Sequence, residues 1–327
     1  MCVLPGGIVR SKAQRGDFVN MTCAGASVRG MHVRKIVILG VVAASLGLSA
    51  CGSSASISDT VASLGSSSTV QVHLTATASG QGVSAEAQSI LKQVSVDVNY
   101  ATTNGSQITD AGKAIDTEVT FNVASAAVLD VRSVDQNFYV ELNLTPLSTF
   151  PGLGISAQDL ASAQLLLGGR WFELPYSLLK SYATKFATSP SEAQIAKEKS
   201  IDNKVLDAIA SLIDSTPSTT LASGGYTETG TLESVVTALL PTLDSVTNTT
   251  IPAPKNVKGT YTLTLNASGT TATGASIVIA APNGTQGNAS VGLHATIAHN
   301  NVTVTAPTGA TVITPALIKQ LSSLAGA

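Results

Sequence analysis

Charge, aromatic rings and cysteine are all scarce in this chain of 327 residues. Asp, Glu, Lys and Arg make up 12% of it and Phe, Trp and Tyr 4%, with a single tryptophan and three cysteines. A charge-poor surface argues against nucleic acid as a partner, because neutralising phosphates demands clustered Lys and Arg. Beyond the N-terminal region no apolar run reaches about 18 residues, so no transmembrane helix is expected there. Signatures of catalysis are missing too. There is no Gly-x-Ser-x-Gly elbow, and the two Ser-x-x-Lys matches, Ser89 with Lys92 and Ser177 with Lys180, lack the Ser-Asp-Asn and Lys-Thr-Gly partners such enzymes need. His294 and His299 differ by five positions, which places them on opposite faces of one strand, and His73 lies on the polar side of another. Asp116 and Glu118 share a strand face, and a carboxylate pair of this kind serves glycosidases. Both belong to a polar alternation, however, which reads as a solvated face. No cofactor and no metal is called for.

What the chain does have is a distinctive start. Arg29, Arg34 and Lys35 precede an apolar run from Ile36 to Leu48, and Leu48-Ser49-Ala50-Cys51 follows directly. A run of 13 residues suits a cleaved signal and is short for a membrane span. The four residues resemble the lipobox of bacterial lipoprotein signal peptides. The resemblance implies that the Cys51 thiol receives lipid and that the mature chain starts there, held at the extracytoplasmic face of a cell membrane. Residues 1–50 read as a leader, with Met31 as the better start and 31–50 as the signal peptide. Cys2 and Cys23 then leave with the leader, so no internal disulfide is expected. Removing the six Lys/Arg and one Asp of residues 1–50 leaves 12 basic and 19 acidic residues, a net charge of −7. That balance disfavours a polybasic second anchor, which leaves lipid to hold the chain.

Residues 51–68 are rich in Ser, Gly and Ala and read as a flexible tether. From Val70 onward, period-two alternation predicts strands at 70–77, 94–100 and 115–123, with a short helix at Ser84–Gln93. Residues 127–134 and 138–144 predict a hairpin around Asp135-Gln136-Asn137. A helical block is expected over about 152–250. It comprises Ser156–Leu167 with Ser156 as N-cap, Tyr176–Ala187, a helix opened by Ser189-Pro190 and running to about Asp214, and one within Leu232–Leu243, bent or broken at Pro241. A short strand-like Arg170–Leu174 interrupts the block. Strands return at 258–265, 276–281, 290–299 and 302–305, the last two forming a hairpin at Asn300-Asn301. Residues 311–327 carry a terminal helix from Thr314-Pro315 through Leu324. The fold class is α+β, its sheet completed by both ends of the chain.

Three segments together resemble the LppX/LprG-type lipoproteins of mycobacteria and, more distantly, the LolA/LolB lipoprotein carriers. These are the lipobox, Ser133-Val134-Asp135-Gln136-Asn137-Phe138-Tyr139-Val140, and Gly168-Gly169-Arg170-Trp171-Phe172-Glu173-Leu174-Pro175. The closing Val302–Pro307 is similar too, and the likeness covers residues 69–310. It implies a curved antiparallel sheet, a half-barrel, with helices packed over its concave face and an apolar cavity between. It further implies acyl chains of a lipid or glycolipid as cargo, carried across the cell envelope, with an unknown transport partner. Val96, Val98, Val119, Phe121, Phe138, Val140 and Leu142 are the candidates to line the cavity; the same stripes suit a packed core. Trp171 suits either a core anchor or a cavity mouth. A scaffold lipoprotein with a partner-binding face and no cargo is the alternative function, and an uncharacterised hydrolase the weakest.

Overall fold

A computed structural model describes residues 63–111, 114–150, 156–178, 181, 218–247, 257–282 and 287–317. Cys51, the leader and the expected helix from Ser189 lie outside them, as do the terminal helix beyond Leu317 and most of the expected Tyr176–Ala187 helix.

Alternating apolar and polar residues place the strands. β1 (Thr69–Gly80) leads into α1 (Ala85–Gln93), whose N-cap Ser84 accepts a hydrogen bond from the Ala87 N–H. A meander follows: β2 (Val94–Thr102), β3 (Ile115–Val123), β4 (Ala126–Val134) and β5 (Asn137–Leu142). The hairpin expected around Asp135-Gln136-Asn137 is present, its turn shortened to Asp135 and Gln136, both at positive φ, 48° and 69°, with Asn137 already in β5. That is the two-residue geometry whose twist matches flanking strands. A 3₁₀ turn over Thr145–Thr149 leads to α2 (Ala157–Leu167), where Ser156 Oγ accepts from the Asp159 N–H at 3.1 Å. β6 (Trp171–Leu174) closes this half.

The second half departs from expectation inside the supposed helical block. β7 (Ser218–Thr220) and β8 (Gly225–Thr231) form a hairpin there, before α3 (Leu232–Thr247). α3 is unbroken at Pro241 and runs on to Thr247, beyond the expected end at Leu243. β9 (Thr260–Ser268), β10 (Thr271–Pro282), β11 (Asn288–Ala298) and β12 (Thr311–Val312) complete the strands.

All twelve strands form one open sheet in the order β12-β6-β5-β4-β3-β2-β1-β11-β10-β9-β8-β7. Every pairing between named strands is antiparallel except β12 with β6. Two meanders, β2 to β6 and β7 to β11, therefore flank β1. The main core lies on one face, where Val70, Val72, Val98, Tyr100, Ile115, Tyr261, Leu263, Leu265 and Ile297 are buried together.

Two further expectations are corrected. Residues 63–68, read as tether from their composition, belong to the domain. Leu64 is in the core, Ser63 Oγ accepts from the Ala272 N–H, and Ser67 Oγ lies 2.7 Å from His299 Nδ1. Residues 302–305 form no strand of a hairpin: the chain after β11 makes no ladder there and packs against the sheet near β6 instead. Val302, Val304 and Ala310 pack there with Ala101, Val134, Tyr139 and Trp171. The expected strand is absent: Val304 is buried and Val302 half-buried without a ladder.

Candidate functional site

Strand register assigns every side chain to a face, because residues directly opposite one another point the same way. One row runs Val72, Val98, Val119, Val131, Val140, Phe172 across β1 to β6. The next runs Leu74, Val96, Phe121, Leu129, Leu142. Phe138 stands between Ser133 and Leu174 in a third row. All seven cavity candidates thus share one apolar face. Their cover is uneven. Val98 is 1% exposed and its neighbour Val72 fully enclosed, whereas Val96, Val119, Phe121, Phe138, Val140 and Leu142 are half-buried. Leu232 and Val235 of α3 pack against the main core on this face.

The hydroxyls of Tyr100, Thr117 and Ser133, in one row, interrupt the apolar surface. Tyr100 and Thr117 are opposite each other, both buried, and neither Tyr100 Oη nor Thr117 Oγ1 has a hydrogen-bond partner among the described residues. A buried polar group left unpaired costs roughly 1–3 kcal/mol. Burial also pushes the Tyr100 phenol well above its ordinary pKa.

The opposite face carries the polar half of the alternation, and it is not the solvated surface expected for Asp116 and Glu118. Asp116 is only 8% exposed, and its Oδ1 accepts from the Asp135 N–H at 3.3 Å. The segment 302–310 packs on this side, which sequence alternation alone could not reveal. Glu118 sits in a tight cluster, with its Oε1 2.8 Å from Arg132 Nε and its Oε2 accepting from Asn99 Nδ2 at 2.6 Å. Arg132 also lies 3.2 Å from Asp130 Oδ2, donates to the Thr305 carbonyl at 3.4 Å, and stacks 4.6 Å from the Trp171 ring centroid. Trp171 is thereby a cation–π platform against segment 302–310. Asp130 is pushed up to about 6, first by burial and then by Glu118, with Arg132 pulling the other way. Glu118 and Asp130 thus both contact the Arg132 guanidinium.

The histidines stay apart. His73 Nδ1 is 2.6 Å from Asp97 Oδ1, whose other oxygen accepts from Asn122. His294 Nε2 is 3.0 Å from Thr77 Oγ1. His299 bridges Ser67 and the Ala272 carbonyl. Among the described residues no three of His, Cys, Asp and Glu gather as for a metal ion. Ser89 Oγ accepts from Gln93 Nε2 at 3.2 Å on the exposed side of α1. A groove of about 590 Å³ lies between the 3₁₀ turn and α2 beside the β5 and β6 ends of the sheet, lined by Leu144, Leu160, Leu165, Gln164, Gly168 and Arg170 among others.

One buried acid escaped the sequence reading. Glu228 of β8 lies on the apolar face, 4% exposed, and its Oε1 accepts from Tyr261 Oη at 2.7 Å. Gly230 makes room for that ring, since a Cβ there would stand 2.5 Å from Tyr261 Cε1.

No family model matches this chain, and no curated protein matches it.

Proposed function

We propose that the chain is a lipid-anchored envelope lipoprotein that holds acyl chains of a lipid or glycolipid against the apolar face of its sheet and carries them across the envelope. The observation that carries this reading is the register. Val96, Val98, Val119, Phe121, Phe138, Val140 and Leu142 fall on one face, and six of the seven are only half covered. A face closed as a core would bury them as fully as Val72. Strongly twisted open sheets rarely exceed about ten strands without curling, which supports a half-barrel with this face concave. Leu64, Leu232 and Val235, packed on the same face, support helices as its cover. Cys51 supplies the anchor through the lipobox-like Leu48–Cys51.

A second reading, a scaffold lipoprotein without cargo, is favoured by the complete enclosure of Val72 and Val98. Native mass spectrometry of the non-acylated soluble chain, with organic extraction of what co-purifies, separates the two. A carrier retains stoichiometric lipid that organic solvent releases. A bare protein mass, unchanged after incubation with vesicles, leaves the scaffold reading.

A further inference from the structure

Seven large apolar side chains are exposed among the described residues, and four of them adjoin. Ile277 is 36% exposed, Ile279 41%, Val291 52% and Leu293 58%. Ile277 stands opposite Leu293 and Ile279 opposite Val291 across β10 and β11. Ala76 and Ala78 of β1 extend both rows. The patch lies on the apolar face toward the Gly80, Pro282 and Asn288 ends of these strands, away from the end that Leu64 closes. Contiguous exposed apolar surface marks a contact with a protein or a membrane.

We infer that this end of β1, β10 and β11 is a membrane-docking surface, which rests on the bilayer to which the chain is tethered. The inference depends on the anchoring proposed at Cys51. Three observations commit it to lipid rather than to a protein. First, β1, β10 and β11 contain no Asp, Glu, Lys or Arg at all, so the patch enters the acyl boundary without stripping water from a charge. Second, the patch consists of aliphatic side chains alone, whereas protein contacts draw their energy from Trp, Tyr and Arg, with Leu and Val under-represented. Third, the chain can reach. Twelve residue steps separate Cys51 from Ser63, a span of at most about 40 Å. From the start of β1 to the level of Ala76 and Ala78 is about 25 Å. The tether therefore allows the far end of the sheet to fold down onto the surface that holds the anchor.

The test uses residues 51–327 coupled through the Cys51 thiol, their sole cysteine, to a maleimide lipid in phosphatidylcholine vesicles with brominated acyl chains. Coupling by this route makes the result independent of whether Cys51 is acylated in the cell. Leu293→Trp reports the patch, and Thr77→Trp reports the polar face at the same level of the same strands. Bromine should quench the Leu293→Trp signal several-fold more than the Thr77→Trp signal or the native Trp171. Deleting residues 55–60 halves the reach to about 20 Å, and should abolish the difference while the vesicles still carry the protein. Equal quenching in both variants overturns the inference, as does quenching of Leu293→Trp that survives the deletion undiminished. Cargo is read separately, by extraction after the vesicles are removed. Docking without cargo sustains this inference and sinks the carrier reading; cargo without docking does the reverse.

Discussion

Replacing Asp130 by Asn should stabilise this protein at neutral pH and flatten its response to acid. Asp130 of β4 is 13% exposed at its side chain, stands opposite Glu141, and shares Arg132 with Glu118. Burial and the two neighbouring carboxylates hold its proton up to about 6, against an ordinary 3.8. The folded chain therefore binds more proton than the unfolded chain between those two values. Stability is greatest below the unfolded value and declines as pH rises through about 6. A difference of about two pKa units corresponds to about 3 kcal/mol, an upper bound because the cluster retains some solvent. Asn resembles the protonated carboxyl in shape and keeps an oxygen for Arg132. It should thus recover roughly 1–3 kcal/mol at pH 7 and almost nothing at pH 4. Urea titrations of the soluble chain from pH 4 to pH 8 measure this, since carboxylates remote from the cluster titrate alike in both proteins and cancel, which leaves Asp130 and its coupled neighbours Glu118 and Glu141 in the difference. A variant less stable than wild type at pH 7, or a difference that does not change with pH, would mean that the Arg132 pairing outweighs burial.

Thr117→Val removes a buried hydroxyl that has no partner among the described residues and keeps the branched shape, so a gain of about 1 kcal/mol is expected in the same titration; a loss would reveal a hydrogen bond to the hydroxyl. Val98→Trp should cost on the order of 1–3 kcal/mol or more by overpacking an enclosed position. Val119→Trp, on the half-covered part of the face, should cost less and reduce lipid loading; equal destabilisation with no lipid ever found in wild type refutes the carrier reading. Cys51→Ala should abolish partition into the detergent phase, because each lost methylene forfeits about 0.8 kcal/mol of burial. Unchanged partition after signal removal would end the lipoprotein reading.

The strands from β1 to β5 were legible because a single apolar face imposes strict alternation, and the same alternation named the seven residues that register later placed together. Ser156 as a cap and Asp135-Gln136 as a turn were legible for a local reason: each satisfies backbone geometry within four residues. The β7–β8 hairpin was not. Tyr226–Thr231 reads Tyr-Thr-Glu-Thr-Gly-Thr, and its inward positions after Tyr226 are Glu228 and Gly230, which serve the Tyr261 hydroxyl and ring rather than an apolar partner. Depth was hidden as well. Asp116 and Glu118 look like solvent-facing residues until the segment carrying Val304 and Thr305 is seen to pack on Ala101, Val134 and Arg132 beside them. Strand order was equally out of reach, since pairings such as Gln71 with Ala298 leave no local trace.

That last pairing has a consequence for how the molecule is made. Within each meander every strand pairs with its neighbour in sequence, and contacts between segments near in sequence form quickly. β1 is different: it pairs with β2 at once, yet its other edge waits for β11, which follows more than two hundred residues later in the chain. Synthesis at ~5–20 residues per second opens an interval of roughly 10–40 s. Throughout it, an uncharged strand twelve residues long offers a bare row of backbone donors and acceptors to any passing chain. The strand that unites the finished sheet is, until then, its most adhesive part.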